Sequence, residues 1–463
     1  MAVDPTHRAS SLYMHEGPLS PDRPHASRRR IAIASALLCV FASGLIGAAP
    51  PAVQADGPGP TTLGSSVTFY GRGYGHGVGM SQHGARGRAL AGQSADEILD
   101  HYYQGTTPGA IALDARIRVR VLRDFKASST KPLVLYARRT AWTIDGVKGT
   151  FPKDARLEVR PTLRTTAVGT TATWRLKVYA STGALLLDKA TSHFRMRGVS
   201  AGSILQVKSK GTTRDKYRGV LRAVLSTTSR KANVVNELAL EKYLRGVVPA
   251  EMPSTWPVEA LKAQAIAARS YAARRLRPGV SWYDVSDDTS SQVYLGFKGE
   301  QASTTAAITA TAGVVRKSGS TIANTLFHST AGGATEHNEN VFVSSSGGTV
   351  AGPVSYLRGV SDRREDGSSY DAGAPYATWS TATYARSTLS TWFAADARTN
   401  VGSLTALDLT HRGVSGRLIS VTLIGSKGSK TVSGGVFRAV FNAARPSGSP
   451  MMRSTLVGLA PIP

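Results

Sequence analysis

Cysteine is almost absent from this chain. Its single cysteine, Cys39, lies in an apolar stretch near the N-terminus, so the remainder of the 463 residues has no thiol for a disulfide or a metal. A small disulfide-stapled domain and a cysteine-ligated zinc domain are therefore excluded. A chain of this length can bury enough apolar surface to fold without cross-links, and it is long enough for two or more folding units.

Apolar runs of membrane-spanning length are also missing. The run at 31–46 has about 16 residues, whereas a spanning helix needs ~20. It follows three arginines at 28–30 and precedes a small-residue cleavage site at 53–55, an order typical of a secretory signal peptide. We therefore predict that residues 1–55 direct export and that the mature protein is secreted. A retained membrane anchor is the alternative.

Acidic residues are scarce relative to basic ones. The chain has 30 Asp and Glu against 56 Lys and Arg, and a formal net charge of +26 at pH 7. Such a surplus favours a polyanionic partner, and the polyanions nearest to an exported protein are anionic polymers of the cell wall. Nucleic acid is not expected, because the arginines are scattered and no helix-turn-helix, zinc-finger or ribonucleoprotein pattern is present.

Glycine, in contrast, occurs at every second position from 71 to 79. If this segment is extended, one face has no side chains, while Arg72, Tyr74 and His76 line the other. A bare backbone face would let a flat sugar chain approach closely. A glycine-rich loop with tight turns is the alternative. The spacing fits neither a phosphate-binding loop nor a dinucleotide-binding motif.

Periodicity predicts an α+β fold with a β-rich core and a few helices. Alternating residues from 111 to about 215 predict an inserted all-β accessory module without clustered His, Asp or Glu. The best-defined helix is 256–277, which Ser254 or Thr255 would cap. The expected organisation, which has no internal repeat, is a signal peptide at 1–55, a linker at 56–66, the glycine segment at 67–110, the β module at 111–215 and the core at 216–463.

One acid lies between two prolines in the segment 249–253. The prolines reduce the freedom of the predicted loop around Glu251. Val248, Met252 and Trp256 would form apolar walls, and burial among them would raise the pKa of the carboxyl towards neutrality, as a general acid requires. Taken alone, an acid in a loop is more often solvated.

At these and other positions the chain resembles the SpoIID/LytB family, named for sporulation stage II protein D and a modifier of a wall amidase. The resemblance covers about 216–365 and 69–107. The matching stretches are YRG at 217–219, VNEL at 235–238, LEKYL at 240–244, PAEMP at 249–253, LKAQA at 261–265, ARSYA at 268–272, SQVY at 291–294, FHSTAGG at 327–333 and TE at 335–336.

The order of the motifs differs from that of most relatives. In them the Gly-His-Gly motif follows the glutamate loop and the His-Ser-Thr segment, whereas here it comes first, at 75–77. The chain thus looks circularly permuted. Because the termini of a domain commonly lie close together, we expect residues 67–110 to dock on the core.

The resemblance implies an exported peptidoglycan lytic transglycosylase. Such an enzyme cleaves the MurNAc-GlcNAc glycan to 1,6-anhydro ends, and its single catalytic acid and base would be Glu251. The expected partners are peptidoglycan glycan strands and a cell-wall amidase, and no cofactor is expected. Some relatives hold zinc through cysteines that are missing here. Ligands could come only from His328, His337 or Glu336, and we expect no metal.

Ten further residues are expected to bind substrate: His76, Ser81, Gln82, Gln264, Arg269, Gln292, Tyr294, His328, Ser329 and Glu336. For some of them a structural role is the alternative, since His76 could pack behind the glycine segment and Gln264 could brace a loop. His328 and Ser329 are not expected to form a nucleophile pair, because neighbouring residues on a strand point to opposite faces.

Two other functions remain open at this point. One is a non-catalytic glycan-binding protein that recruits or stimulates a cell-wall amidase, as the second half of the family name implies. The other is a structural basic envelope protein that adheres through its β module. The proline-flanked Glu251 favours the enzyme, whereas the permuted order and the large β module favour binding.

Overall fold

The computed structural model of the chain describes residues 59–128, 130–167, 169–226 and 231–462. The expected signal peptide and the first three residues of the expected linker lie outside the described residues. The helices of the described ranges are α1 Gln82–Leu90, α2 Ala95–Tyr102, α3 Leu240–Glu251, α4 Val258–Ala273, α5 Ala302–Ala310, α6 Asn338–Val341, α7 Arg386–Ala394 and α8 Gly434–Ala444, with short 3₁₀ helices at Lys208–Lys210 and Gly296–Gly299.

Most strands of the described ranges are short, and the longest come from the first half of the chain. In chain order they are β1 Thr61–Thr62, β2 Ser66–Val67, β3 Tyr70–Arg72, β4 Met80–Ser81, β5 Thr107–Ala110, β6 Arg116–Phe125, β7 Leu133–Ala137, β8 Trp142–Ile144, β9 Arg156–Thr166, β10 Gly169–Tyr179, β11 Leu185–Thr191, β12 Arg195–Gly198, β13 Leu205–Val207, β14 Lys216–Tyr217, β15 Val220–Leu225, β16 Ala232–Ala239, β17 Val285–Ser286, β18 Val314–Ser318, β19 Thr321–Ile322, β20 Phe327–His328, β21 Thr378–Ser380, β22 Tyr384–Ala385, β23 Leu404–Asp408, β24 Ser420–Gly425, β25 Gly428–Ser433 and β26 Val457–Gly458.

The fold is α+β and rich in strands, which confirms the fold class predicted from periodicity. Two six-stranded sheets dominate, with the orders β11-β10-β9-β7-β13-β14 and β17-β6-β16-β15-β12-β8. In the second sheet, β6 from the expected accessory module pairs with β16 from the expected core. Strands from both sides of residue 215 therefore share one sheet, and a separate module at 111–215 stays a prediction.

The glycine segment lies against parts of the chain that are distant in sequence. Strand β4 runs parallel to β20, with Met80 opposite Phe327 and Ser81 opposite His328. Strand β3 pairs with β21 on one side and with β26, near the C-terminus, on the other. These pairings hold residues 70–81 beside the His-Ser-Thr segment.

The extended conformation expected for the whole glycine segment is wrong beyond Arg72. Gly73, Gly75, Gly77 and Gly79 have φ values of +73°, +107°, +87° and +70°, which L-residues rarely adopt, so the alternative of a loop with tight turns is correct. A Cβ at Gly79 would lie 2.1 Å from the carbonyl oxygen of Leu326. The missing side chain at Gly79 therefore lets its backbone pack closely against the backbone of Leu326.

The two helices on either side of the proline-flanked acid also differ from expectation. A loop was expected around Glu251, but helix α3 continues through Pro249 and ends at Glu251. The helix tolerates Pro249 because a proline in the last turn interrupts few of the remaining hydrogen bonds. Helix α4 is shorter than predicted. Pro257 is its N-cap residue, and the expected cap by Ser254 or Thr255 is wrong.

Two buried hydrophobic clusters stabilise the fold. The larger contains residues from both large sheets together with α3 and α4. The smaller joins β2 and Phe69 to the C-terminal helices, where Phe69 makes edge-to-face contacts with Phe437 and Phe441 at centroid distances of 5.7 and 5.5 Å. Among the described residues, no helix combines the length and the apolar character that crossing a bilayer requires.

Candidate active site

The site is built around Glu251, the last residue of α3. Its side chain is half-buried, and the next residue, Met252, is only 1% exposed. Burial removes water from the carboxylate and raises its pKa to about 7, although hydrogen bonds from Gln82 and from the backbone N–H of Val293 oppose this rise. The carboxyl therefore exchanges its proton near neutral pH.

Gln82 links three helices at this carboxyl. It is the first residue of α1, and its Nε2 donates to Oε2 of Glu251 at 3.5 Å and to Oε1 of Gln264 at 3.4 Å. Gln264 lies on α4 and is fully buried, and its own Nε2 has no hydrogen-bond partner within the described residues. The three side chains form one polar cluster at the meeting point of α1, α3 and α4.

Hydrogen bonds of Gln292 position the segment whose Val293 backbone N–H donates to Glu251. The hydroxyl of Tyr243 donates to Oε1 of Gln292 at 3.2 Å, and Nε2 of Gln292 donates to the carbonyl of Ala268 at 3.4 Å. Burial raises the pKa of both Tyr243 and Tyr271, and the nearby charge of Glu251 raises each further. Both phenols therefore stay neutral beside the carboxyl.

His83 and Trp256 lie at the edge of this cluster. Their ring centroids are 4.7 Å apart, and the Arg86 guanidinium lies 5.8 Å from the Trp256 ring centroid. The backbone N–H of His83 donates to the carbonyl of Ser329 at 2.9 Å. Burial, helped by Arg86, lowers the pKa of the half-buried His83 to about 4, so its imidazole is neutral.

Sequence reasoning did not select His83. It identified Trp256 only as a wall of the acid pocket, although His83 follows Gln82 directly in the glycine motif. The sequence carries no signal that singles out His83, because side chains at consecutive helix positions point in different directions. Both rings are partly accessible, and such surfaces suit the apolar faces of sugars.

His76 and His328 belong to the structural support of the glycine segment. Nδ1 of His76 accepts from the N–H of Val78 at 3.0 Å, so its Nε2 carries the proton and donates to the carbonyl of Phe327 at 3.1 Å. Nδ1 of His328 donates to the carbonyl of Val78 at 3.2 Å. Burial lowers the pKa of His76 to about 4 and that of His328 well below its usual range. Neither hydrogen-bonds Glu251, and packing behind the segment is the role the contacts support.

Three further residues that were expected to bind substrate differ in how deeply they are buried. Ser81 is fully buried and caps α1 by accepting from the N–H of Gly84 at 3.0 Å. Tyr294 is 3% exposed and donates to Oδ1 of Asn236 at 3.0 Å. Ser329 is half-buried and lies beside His83. Of these three, only Ser329 is partly exposed.

Buried hydrogen bonds hold both Arg269 and Glu336, which were expected to contact substrate. Arg269 is fully buried and binds both carboxylate oxygens of Glu241, at 2.7 and 2.9 Å. Glu336 is 1% exposed, and its oxygens accept from the backbone N–H groups of His337, Val414 and Ser415 and from the side chains of Asn340 and Ser415. Their hydrogen-bonding capacity is used inside the protein.

The arrangement suits chemistry that needs a single proton-exchanging acid. The groups that set the Glu251 pKa within the described ranges include no second carboxylate, whereas hydrolysis of a glycoside by water normally uses two. The described residues also contain no group of three or more His, Cys, Asp or Glu placed to hold a metal ion.

Comparison with known proteins agrees with the residues that build this site. The SpoIID family, described as Stage II sporulation protein, matches residues 228–317, which contain Glu251, Gln264 and Gln292. An uncharacterised protein of Brachyspira hyodysenteriae is 40% identical over 111 residues, 24% of this chain. The amidase enhancer of Bacillus subtilis is 34% identical over 146 residues, 30% of this chain. Stage II sporulation protein D of Bacillus subtilis is 54% identical over 43 residues, 9% of this chain.

The matches are local. They span 30%, 20% and 12% of those three relatives, so the chain corresponds to less than a third of the length of each. This chain contains a domain of the SpoIID/LytB family.

Proposed function

We propose that this protein is an exported peptidoglycan lytic transglycosylase in which Glu251 is the single acid and base. One observation supports this most directly: burial raises the pKa of the Glu251 carboxyl to about 7. Such an acid is protonated often enough to donate near neutral pH and ionised often enough to accept.

The reaction has two proton transfers and uses no water. Protonated Glu251 donates to the glycosidic oxygen as the bond from the muramic acid C1 to that oxygen breaks. The resulting carboxylate then takes the proton of the 6-hydroxyl of the same sugar while that oxygen bonds to C1. The product has a 1,6-anhydro end, and the enzyme returns to its protonated state.

The neighbours of Glu251 would orient the carboxyl and the sugar. Gln82 and the Val293 N–H bind the carboxylate and favour its ionised form, which the second proton transfer needs. The unpaired Nε2 of Gln264 is a donor available to an acetamido or lactyl oxygen. His83 and Trp256 would contact a sugar ring at the accessible edge.

The test is product analysis with the wild-type protein and Glu251→Gln. Glycan strands, with and without peptide stems, are incubated with each protein and the digests are examined by mass spectrometry. Wild type should release anhydro-ended products, and Glu251→Gln should bind glycan equally but react at least about 100-fold more slowly. Equal activity in the two proteins would remove Glu251 from the mechanism.

A second function is favoured by one relative. The amidase enhancer of Bacillus subtilis shares 34% identity over 146 residues with this chain, so the domain could bind glycan and stimulate a cell-wall amidase without cleaving glycan itself. Glycan binding without anhydro products from either protein, together with faster cleavage by an added amidase, would establish this function in place of the enzyme.

A further inference from the structure

The outer face of the second six-stranded sheet is lined with arginines. On β6, Ile117, Val119 and Val121 are at most 1% exposed and point into the core. Side chains alternate along a strand, so the arginines between and beside them point outward. These are Arg116, Arg118 and Arg120.

Three more arginines share this face through the strand register. One row of opposed residues crosses four strands. It runs from Arg118 on β6 through Glu237 on β16 and Val220 on β15 to Arg197 on β12. The next row runs from Arg120 through Val235 and Arg222 to Arg195. We call the six residues the arginine face: Arg116, Arg118, Arg120, Arg195, Arg197 and Arg222.

Carboxylates neutralise this face only in part. Glu237 pairs with both Arg195, at 3.2 Å, and Arg222, at 2.8 Å. Asp284 pairs with Arg118 and Asp145 with Arg197, each at 2.7 Å. Six guanidinium groups thus share three ion-paired carboxylates, and Asp288 also interacts with the charge of Arg120, so the face keeps an excess of positive charge.

Arg116 and Arg120 form no ion pair within the described residues. Arg116 is exposed, and its guanidinium donates only to the carbonyl of Glu237, at 3.3 Å. Arg120 donates to the hydroxyl of Ser286 at 2.8 Å, lies 4.5 Å from the Tyr283 ring centroid, and has a buried Nε without a hydrogen-bond partner. The exposed Arg116 retains donors that a ligand can use, and Arg120 lies half-buried on the same face.

The face is concave where a ligand would lie. A groove of about 330 Å³ is lined by Arg116, Arg118, Arg195, Arg197, Glu237, Pro278 and Gly279. Successive outward side chains on β6 are about 6.7 Å apart, so the arginines offer a row of regularly spaced charges. A flexible polymer with one negative charge in each repeat can contact several of them at once.

We propose that the arginine face binds a phosphodiester-bearing polymer independently of the Glu251 site. A phosphodiester stays ionised at neutral and mildly acidic pH, and its two free oxygens match the fork of one guanidinium. Single-stranded nucleic acid fits less well, because binding without sequence preference uses open aromatic platforms, and the Tyr283 ring is covered by Arg120.

The test measures binding of poly(glycerol phosphate) to the full chain by calorimetry over a range of salt concentrations. Arg116→Gln combined with Arg120→Gln should weaken binding at least about tenfold at low salt. The slope of log affinity against log salt should fall by about 1.4, or about 0.7 for each phosphate that the variant no longer neutralises. The conservative pair Arg116→Lys and Arg120→Lys should recover most of the affinity.

Lys153→Gln combined with Lys427→Gln is the matched control, because both lysines are exposed and the change removes the same charge. An equal loss of binding in this control would overturn the proposal in favour of diffuse charge attraction. Equal affinity for polyglutamate would overturn the preference for phosphodiesters, and equal affinity for single-stranded DNA would overturn the preference for a polymer without bases. Glu251→Gln should bind poly(glycerol phosphate) as wild type does, so this result is separate from the fate of the proposed enzymatic activity.

Discussion

Nε2 of Gln82 lies 3.5 Å from Oε2 of Glu251, although the two residues are 169 positions apart in sequence. Gln82 begins one helix and Glu251 ends another, so the contact joins the glycine segment to the core at the candidate catalytic group. The glycine segment therefore supplies a direct partner of the acid.

Gln82→Leu should change the pH dependence of glycan cleavage. The hydrogen bond from Gln82 lowers the pKa of Glu251, so its loss should raise that pKa above about 7. The first step needs the protonated acid, and kcat/KM should therefore stay high to a higher pH, while the maximal rate falls about tenfold because the carboxyl is less well oriented. An unchanged pH profile would mean that this hydrogen bond has no part in the reaction.

Glu251→Gln should stabilise the protein at alkaline pH. The folded pKa of about 7 lies above the ordinary glutamate value of 4.5, so the folded state holds the proton more tightly than the unfolded state does. The resulting stability is complete below pH 4.5 and is lost as pH rises through about 7. Urea unfolding should show a gap between the variant and wild type that grows to about 2 kcal/mol between pH 5 and pH 8. A gap that is constant over this range would contradict the raised pKa.

Gly79→Ala should destabilise the fold more than Gly92→Ala does. Both glycines have positive φ, but the new Cβ at Gly79 would lie 2.1 Å from the Leu326 carbonyl oxygen, whereas nothing lies within 4 Å of a Cβ at Gly92. We expect a decrease in unfolding free energy of about 1 kcal/mol at Gly92 from the backbone alone and about 3 kcal/mol at Gly79. Denaturant unfolding measures both, and equal decreases would show that close packing at Gly79 is unimportant.

His83→Ala should weaken glycan binding and leave stability almost unchanged, whereas Arg269→Lys should lower stability and leave binding almost unchanged. His83 lies half-buried beside Trp256, so its removal should weaken glycan binding about tenfold with little change in the melting temperature. Arg269 is fully buried in a bidentate pair with Glu241, so its replacement should lower the melting temperature with little change in KM. Glycan titrations and thermal scans of each variant separate the two roles, and a stable Arg269→Lys with a raised KM would restore Arg269 to the site.

Sequence alone predicted the parts of the site that depend on local pattern. The proline-flanked Glu251 was expected to be partly buried with a raised pKa, and the structure agrees. The alternation in β6 predicted a strand correctly. Gln82 and Gln264 were selected as site residues, and they meet at the carboxyl.

Other features depend on contacts that no local pattern records. The period-two glycines fit a strand as well as a loop, and only the neighbouring Leu326 and Arg417 explain the positive φ values. The pairing of β6 with β16 joins segments more than 100 residues apart, so no local pattern predicts that strands from the expected module and from the expected core share one sheet. The buried hydrogen-bond partners of Arg269 and Glu336 lie far away in sequence, so no local pattern predicts them.

Cleavage of glycan in ¹⁸O-labelled water separates the proposed lytic reaction from hydrolysis, because a lytic reaction uses the sugar's own hydroxyl and a hydrolase uses solvent. Mass spectrometry of the newly formed ends from the wild-type protein should show 1,6-anhydro products without ¹⁸O, and Glu251→Gln should form them at least about 100-fold more slowly. Reducing ends that carry ¹⁸O, or anhydro ends formed equally fast by Glu251→Gln, would contradict a lytic mechanism that depends on Glu251.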